Sequence, residues 1–196
     1  MALFSLSSMG QEVEERKPFS VELDGRIGVG ILAPQNNIRT TGNANNVELR
    51  FNLEPLEYLR FGIGVGFTNF LANSYLGVSP QYLQQTYLLI PLSISNKLNL
   101  YTFDDKTAIS LVSEIGIYGN TLLKERIETY NSSRTNSKSG WSYGFQFRIG
   151  SELKVYNQIS AGFGIVSQID RGWMDINGTK SKLSTQMFYI SFGIPF

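Results

Sequence analysis

Residues 60–67 read RFGIGVGF, with Gly62, Gly64 and Gly66 at every second position and Phe61, Ile63, Val65 and Phe67 in the gaps. Two structures use that pattern. A phosphate-binding loop sets its glycines between a strand and the first turn of a helix. A β-strand can instead be apolar on one face and bare on the other, because successive residues point to opposite sides. No helical spacing of apolar residues follows residue 67, nor does it follow the similar GRIGVG at residues 25–30. Both stretches therefore read as strands.

Outward from this stretch, the same period of two recurs in eight segments. Near residues 19–33, Val21, Leu23, Ile27, Val29 and Ile31 oppose Glu22, Asp24, Arg26, Gly28 and Gly30, with Gly25 breaking the apolar face. Near residues 46–54, Val47, Leu49, Phe51 and Leu53 oppose Glu48, Arg50 and Asn52. The opening stretch is the third segment. The fourth, near residues 82–95, is the least clean: Leu88, Ile90, Leu92 and Ile94 share a phase, but Tyr87 and Leu89 occupy the other. In the fifth, near residues 107–119, Ile109, Leu111, Ile115 and Ile117 oppose Ser110, Glu114, Gly116 and Tyr118. The sixth sets Trp141, Tyr143, Phe145, Phe147, Ile149 and Leu153 against Gly144, Gln146, Arg148, Glu152 and Lys154. The seventh sets Ile159, Ala161, Phe163, Ile165 and Ile169 against Gly162, Gly164, Gln168 and Asp170. The last sets Phe188, Ile190, Phe192, Ile194 and Phe196 against Tyr189, Ser191, Gly193 and Pro195.

The links alternate too. They are short after the second, fourth and sixth segments (EPLE, a turn at FDD, YN) and long and polar after the first, third, fifth and seventh. That layout predicts an all-β fold: an eight-stranded antiparallel up-and-down transmembrane β-barrel with short periplasmic turns and long extracellular loops. Volume decides which face is outside. An eight-stranded tube is barely wide enough for side chains, and the Phe, Ile, Leu and Val of eight strands overfill it. The Gly, Ser, Arg and Glu face interdigitates in a narrow lumen. The expected lumen charges are Glu22, Asp24, Arg26, Glu48, Arg50, Arg60, Glu114, Arg148, Glu152 and Lys154, five of each sign and able to pair. The lipid face includes Phe61, Ile63, Val65, Phe67, Phe145, Phe147, Phe163, Phe188 and Phe192. Tyr82, Tyr118, Trp141, Tyr143 and Trp173 fall near strand ends on the long-loop side and are expected to form an interfacial aromatic belt. A soluble exported barrel holding a lipid or other apolar ligand is the alternative, with the two faces exchanged.

Composition narrows the chemistry. The 196 residues carry a net charge of +1, no Cys and no His. There is no basic field for nucleic acid, no thiol chemistry, and neither the commonest general base nor the commonest metal ligand. No cofactor is implied. Glu114 and Glu152 are the one carboxylate pair considered for acid–base work, and a salt-bridged plug is the favoured role for them. A narrow ion path through rearranged pairs among Arg60, Arg148, Glu48 and Glu114 is a further, less favoured reading.

The C-terminal FYISFGIPF, with Phe188, Ile190, Phe192, Ile194 and Phe196 in alternation, resembles the terminal signal of bacterial outer-membrane barrels. With the eight segments and YLLIPLSIS, the chain from residue 19 to 196 resembles the small outer-membrane β-barrel proteins of Bacteroidetes type, OmpX-like and similar to the OmpA membrane domain. Pro195 departs from the pattern. The resemblance implies a Gram-negative outer membrane location, insertion by the barrel-assembly machinery and outer-membrane lipid as surroundings. It also implies a structural or adhesive role without catalysis. Residues 1–10 resemble the end of a signal peptide, with a short tail over 11–18 before the barrel at 19–196. The segment 120–140, in which alternation continues weakly, is expected to protrude as a hairpin able to hold a protein partner by strand addition.

If the glycines of RFGIGVGF face a crowded lumen, making room for long side chains such as Arg148 or Glu114, then Gly64→Leu should block assembly while Ile63→Leu is tolerated. Folding yield into detergent micelles, read from heat-modifiable gel mobility, checks this; equal yields refute the assignment of faces.

Overall fold

A computed structural model of the chain describes residues 18–35, 39–76, 79–104, 107–129, 132–136, 140–156, 158–176 and 179–196. The N-terminal segments read as signal remnant and tail lie almost wholly outside the described residues. Ten strands follow in order: β1 (Phe19–Pro34), β2 (Thr40–Leu56), β3 (Leu59–Leu76), β4 (Ser79–Asp104), β5 (Thr107–Thr129), β6 (Ser132–Asn136), β7 (Trp141–Val155), β8 (Ile159–Asp170), β9 (Met174–Ile176) and β10 (Thr179–Pro195). The order β1-β2-β3-β4-β5-β7-β8-β10 closes on itself through β1–β10 pairing, so eight strands make the barrel wall and every rung is antiparallel. Of the two extra strands, β6 pairs with β5 and β9 with β10.

Period two is what makes the wall. Along β1 every charged residue from Glu22 to Arg26 is buried, while Leu23, Ile27 and Val29 are exposed. On β3, Phe61, Ile63, Val65 and Phe67 point out. A Cβ on Gly64 would stand 2.9 Å from the Leu49 carbonyl oxygen and 3.2 Å from Cγ of both Arg50 and Pro91. The crowding side chain is therefore Arg50 of the adjacent strand, not Arg148 or Glu114. Pro91 lies in the interior of β4 because the β3–β4 ladder carries no rungs between Ile63–Leu92 and Gly66–Leu89. A residue without an N–H fits there. Pro195 closes β10 opposite Ser20, and the Phe196 N–H donates to the Phe19 carbonyl at 2.8 Å.

Much of what reads as long loop is strand. The third segment runs to Leu76, the fifth to Thr129, and the second begins at Thr40. These extensions change character halfway up. In the lower half the lumen side is charged and the outside apolar. Above, the lumen side holds Leu32, Phe70, Ala72, Tyr87, Leu89, Tyr118, Leu122, Met174, Ile176 and Leu183, a single buried apolar cluster. The outside at that height carries Thr41, Asn43, Asn45, Asn69, Gln84, Thr86, Lys124, Arg126 and Lys182. The upper part of the wall thus has a polar outside and its own apolar core. Met174 and Ile176 of β9 seal it from the top.

Phe67 and Phe70 lie three residues apart on opposite faces of β3, exposed and fully buried respectively. Phe70→Ala should therefore cost about 3–5 kcal/mol through the cavity it leaves, against about 1–2 kcal/mol for Phe67→Ala, which loses only part of its apolar contact area. Urea unfolding from phospholipid vesicles measures both; equal losses would show that the cap is not a packed core.

Candidate functional site

The lower lumen is filled by one unbroken ion-pair chain. Asp24 meets Arg26 at 3.2 Å, and Arg26 meets Glu48 at 2.9 Å. Glu48 also holds Arg50, which reaches Glu114 at 2.7 Å. Arg148 joins Glu22 at 2.7 Å, Asp24 at 3.0 Å and Glu114 at 4.0 Å, closing this part into a ring. Glu22 hands on to Arg60 at 3.5 Å. Arg60 binds Glu54 at 2.6 Å and Glu152 at 2.8 Å, and Lys97 bridges the same two carboxylates at 3.1 and 2.6 Å.

Every side chain in the chain of pairs is at most 15% exposed. Desolvation at that depth is tolerable only because each charge faces an opposite one. The Arg148 guanidinium also lies 3.8 Å above the centre of the Tyr189 ring. That ring occupies the space of two missing side chains: a Cβ on Gly150 would meet the Tyr189 hydroxyl at 2.2 Å, and one on Gly164 its ring at 2.8 Å.

Nine of the ten expected lumen charges (Glu22, Asp24, Arg26, Glu48, Arg50, Arg60, Glu114, Arg148 and Glu152) belong to this chain. Lys154 lies half-buried at the lower mouth, within the electrostatic reach of Glu54 and Glu152. Glu54 and Lys97 were missed. The first was assigned to a turn, and the second lies beyond the fourth segment as drawn; continuing the period of two past both segment ends would have found them. The two carboxylates considered for catalysis are each taken up by cations: Glu114 by Arg50 and Arg148 and by a hydrogen bond from Gln146 at 2.9 Å, Glu152 by Arg60 and Lys97.

Above the ion-pair chain comes a layer of hydrogen-bonded polar side chains. Asn46 donates to Thr68 at 2.8 Å, Thr185 to Gln168 and Gln168 to Gln146, each at 3.3 Å. Asp170 accepts from the Tyr118 hydroxyl at 2.8 Å, Asn120 at 3.0 Å and the Leu183 backbone N–H at 2.7 Å. The space left between this layer and the cap is a cavity of about 10 Å³, lined on its polar side by Thr68, Asn120, Gln168, Asp170 and Thr185. Among the described residues no cluster of acidic side chains is arranged to hold a metal ion.

Two of the expected belt aromatics are corrected. Tyr118 is inside the lumen, 3% exposed, where its hydroxyl satisfies Asp170. Tyr82 is half-buried on β4, six residues above the last lipid-phase residue, Leu88, in the extension. Trp141, Tyr143 and Trp173 are exposed on the outer wall. The opposite rim has its own exposed aromatics, Tyr58, Tyr101, Phe103 and Tyr156, which the sequence reading did not single out. Phe145, Phe147, Phe163, Phe188 and Phe192 are exposed between the two rims, and Phe196 stacks on Phe19 with ring centres 6.2 Å apart.

No family model matches the chain, and no curated protein does. Among solved structures it is similar to Neisserial surface protein A, at 13% identity over 91% of this chain and 97% of that one, with a TM-score of 0.48. It is also similar to Ail, the attachment invasion locus protein of Yersinia pestis, at 11% identity over 91% and 100% of the two chains, with a TM-score of 0.47. A third is the outer membrane enzyme PagL, at 14% identity over 87% and 99%, with a TM-score of 0.39.

Arg148 bridges three carboxylates contributed by two other strands of the wall, so it should be the costliest single residue of the lumen. Arg148→Met is expected to lose about 3–5 kcal/mol by leaving buried carboxylates unpaired, and Glu22→Gln added to it should restore a part. A double-mutant cycle in vesicle-based unfolding measures the coupling; additive losses would show that the two do not interact.

Proposed function

We propose that the protein is a non-enzymatic, integral barrel of a Gram-negative outer membrane, closed to solutes, whose roles are structural and interactive. One observation carries this reading: the wall reverses polarity between its two faces. Phe, Ile, Leu and Val cover the outside between two aromatic rims, while the lumen is filled by paired charges. A water-soluble barrel with that outside would precipitate, and an apolar ligand would find ion pairs where its cavity should be. The soluble ligand carrier is therefore the weaker alternative.

Two plugs in series support the closed state. The ion-pair chain fills the lower lumen, and the apolar cap fills the upper. An ion entering from either end must break several buried pairs or cross the tightly filled, largely apolar cap. The non-catalytic reading rests on the absence of His from the sequence and on the full engagement of Glu114 and Glu152 by cations.

The interactive role is assigned to the upper sheet. There β3, β4, β5 and β6 continue beyond the closed wall, with β6 paired to β5 from Thr129–Ser132 to Glu125–Asn136. In the described residues β6 pairs with no second strand, and alternate backbone groups of its outer edge are free for an added strand.

Purified protein in planar bilayers should give no discrete conductance above the lipid background at neutral pH. Stepwise currents from the wild-type chain would end the closed-barrel reading. For the sheet, a photoreactive residue at Arg134 in the native envelope should give a discrete protein adduct, and adducts to lipid alone would remove the interaction role.

A further inference from the structure

Asp170, the last residue of β8, stands apart from the ion-pair chain below it. Every acid of that chain meets at least one cation. Asp170 is just as deeply buried, at 4% exposed, and accepts hydrogen bonds from the Tyr118 hydroxyl, the Asn120 amide and the Leu183 backbone N–H. Among the described residues no guanidinium or ammonium pairs with it. Arg171 and Lys182 place their charges over the Phe145 and Trp173 rings instead, although Lys182 lies within range of the carboxylate's field. A buried carboxylate without a counter-charge is costly.

The same residue lines the cavity of about 10 Å³ beneath the cap, with Thr68 of β3, Tyr87 of β4, Tyr118 and Asn120 of β5, and Thr185 of β10. That is room for about one water-sized sphere. Asn120 brings an unsatisfied group to this space. It is 3% exposed, its amide nitrogen donates to Asp170 at 3.0 Å, and its Oδ1 has no hydrogen-bond partner among the described residues.

The hydroxyls of the lining are committed in a way that favours a cation. A hydroxyl has one proton to give. Tyr87 gives its own to Gln85 at 2.7 Å, Tyr118 to Asp170 at 2.8 Å and Thr185 to Gln168 at 3.3 Å. Each of these oxygens keeps only lone pairs for an occupant of the cavity. Thr68 accepts from Asn46 at 2.8 Å and alone among the four hydroxyls has its proton to spare. With Asn120 Oδ1 and the Asp170 carboxylate, the lining is rich in oxygen acceptors and carries one negative charge.

We infer that this cavity binds one monovalent metal cation, held by Asp170, Asn120 Oδ1 and the neighbouring hydroxyl oxygens. Hard cations take oxygen ligands, and in a space this small those oxygens replace the ion's hydration shell. One positive charge balances Asp170; a divalent ion would leave an excess buried charge. A water molecule could use the acceptors but would leave the carboxylate uncompensated. The ligands come from β3, β4, β5, β8 and β10, so the ion fastens five strands of the wall directly below Met174 and Ile176 of the cap.

Urea unfolding of the full chain in detergent micelles, at constant ionic strength in sodium, potassium or N-methylglucamine chloride, reads the site through linkage. An ion that binds only the folded chain should raise the folded-to-unfolded ratio at least about fivefold in sodium or potassium over N-methylglucamine. D170N should give the same ratio in all three salts, and T185V, which removes one ligand oxygen, should show a smaller dependence than the wild type. Heat-modifiable mobility shows that each variant is folded. Crystals of the wild-type chain grown with thallium(I) acetate give a readout that needs no variant: an anomalous peak is expected between Asp170 and Asn120 Oδ1. No dependence on sodium or potassium in the wild type, a full dependence retained in D170N, or density at the site without thallium signal, as for a water, overturns the proposal.

Discussion

An arginine sealed inside a narrow tube can place its charge only on a carboxylate, and the rest of this barrel follows from that constraint. Arg26, Arg50, Arg60, Lys97 and Arg148 are interleaved with Glu22, Asp24, Glu48, Glu54, Glu114 and Glu152, so that each cation meets at least two acids. The side chains come from β1, β2, β3, β4, β5 and β7, which ties the register of six strands to one electrostatic arrangement. Sliding a strand by one residue would send its charges into lipid and its phenylalanines into the lumen. The glycines follow from the same constraint, since Arg50 lies where a side chain of residue 64 would be, and Tyr189 lies over Gly150 and Gly164.

The wall exchanges its polarity partway up without changing its phase. On β3 the lumen-facing series runs Arg60, Gly62, Gly64, Gly66, Thr68, Phe70, from charge through bare backbone to an aromatic core residue. Outside, Phe61 to Phe67 gives way to Asn69 and Asn73. Lower down, the apolar side chains face outward and the charges are kept inside. Higher up, water is the solvent and the usual arrangement returns. Between the two regimes lies a hydrogen-bonded layer in which the amides and hydroxyls of Asn46, Thr68, Gln146, Gln168 and Thr185 are joined by the single carboxylate of Asp170.

The fold was legible because a period of two is a property of each strand alone. The lumen charges were legible for the same reason, since residue type and phase together place Glu22 or Arg148 inside. The cap was not, because its residues are apolar in the polar phase, which reads as noise in a single strand. Tyr87 and Leu89 were that noise in the fourth segment, and they lie in the cap beside Phe70 and Leu122. Tyr118 was misplaced by a compositional habit: an aromatic near a strand end suggests a membrane rim, yet its even spacing from Glu114 and Gly116 already set it on the inner face. Strand lengths failed where the outside turns polar, because Asn, Thr and Gln on a water-facing strand look like loop.

Closure of the wall by β1 and β10 brings the two ends of the barrel wall within one hydrogen bond of each other, Phe196 N–H to Phe19 carbonyl at 2.8 Å, with their rings stacked. The seam is the contact of greatest sequence separation in the barrel and pairs strands from Ser20–Pro195 to Pro34–Ser181. Nothing in the wall distinguishes it from the other seven joints. That residues 196 and 19 are not joined to each other is therefore a matter of connectivity, not of architecture. A short linker there, with a new break at the turn between β7 and β8, would give a circular permutant with the same cylinder, the same lumen and a different order of strand synthesis.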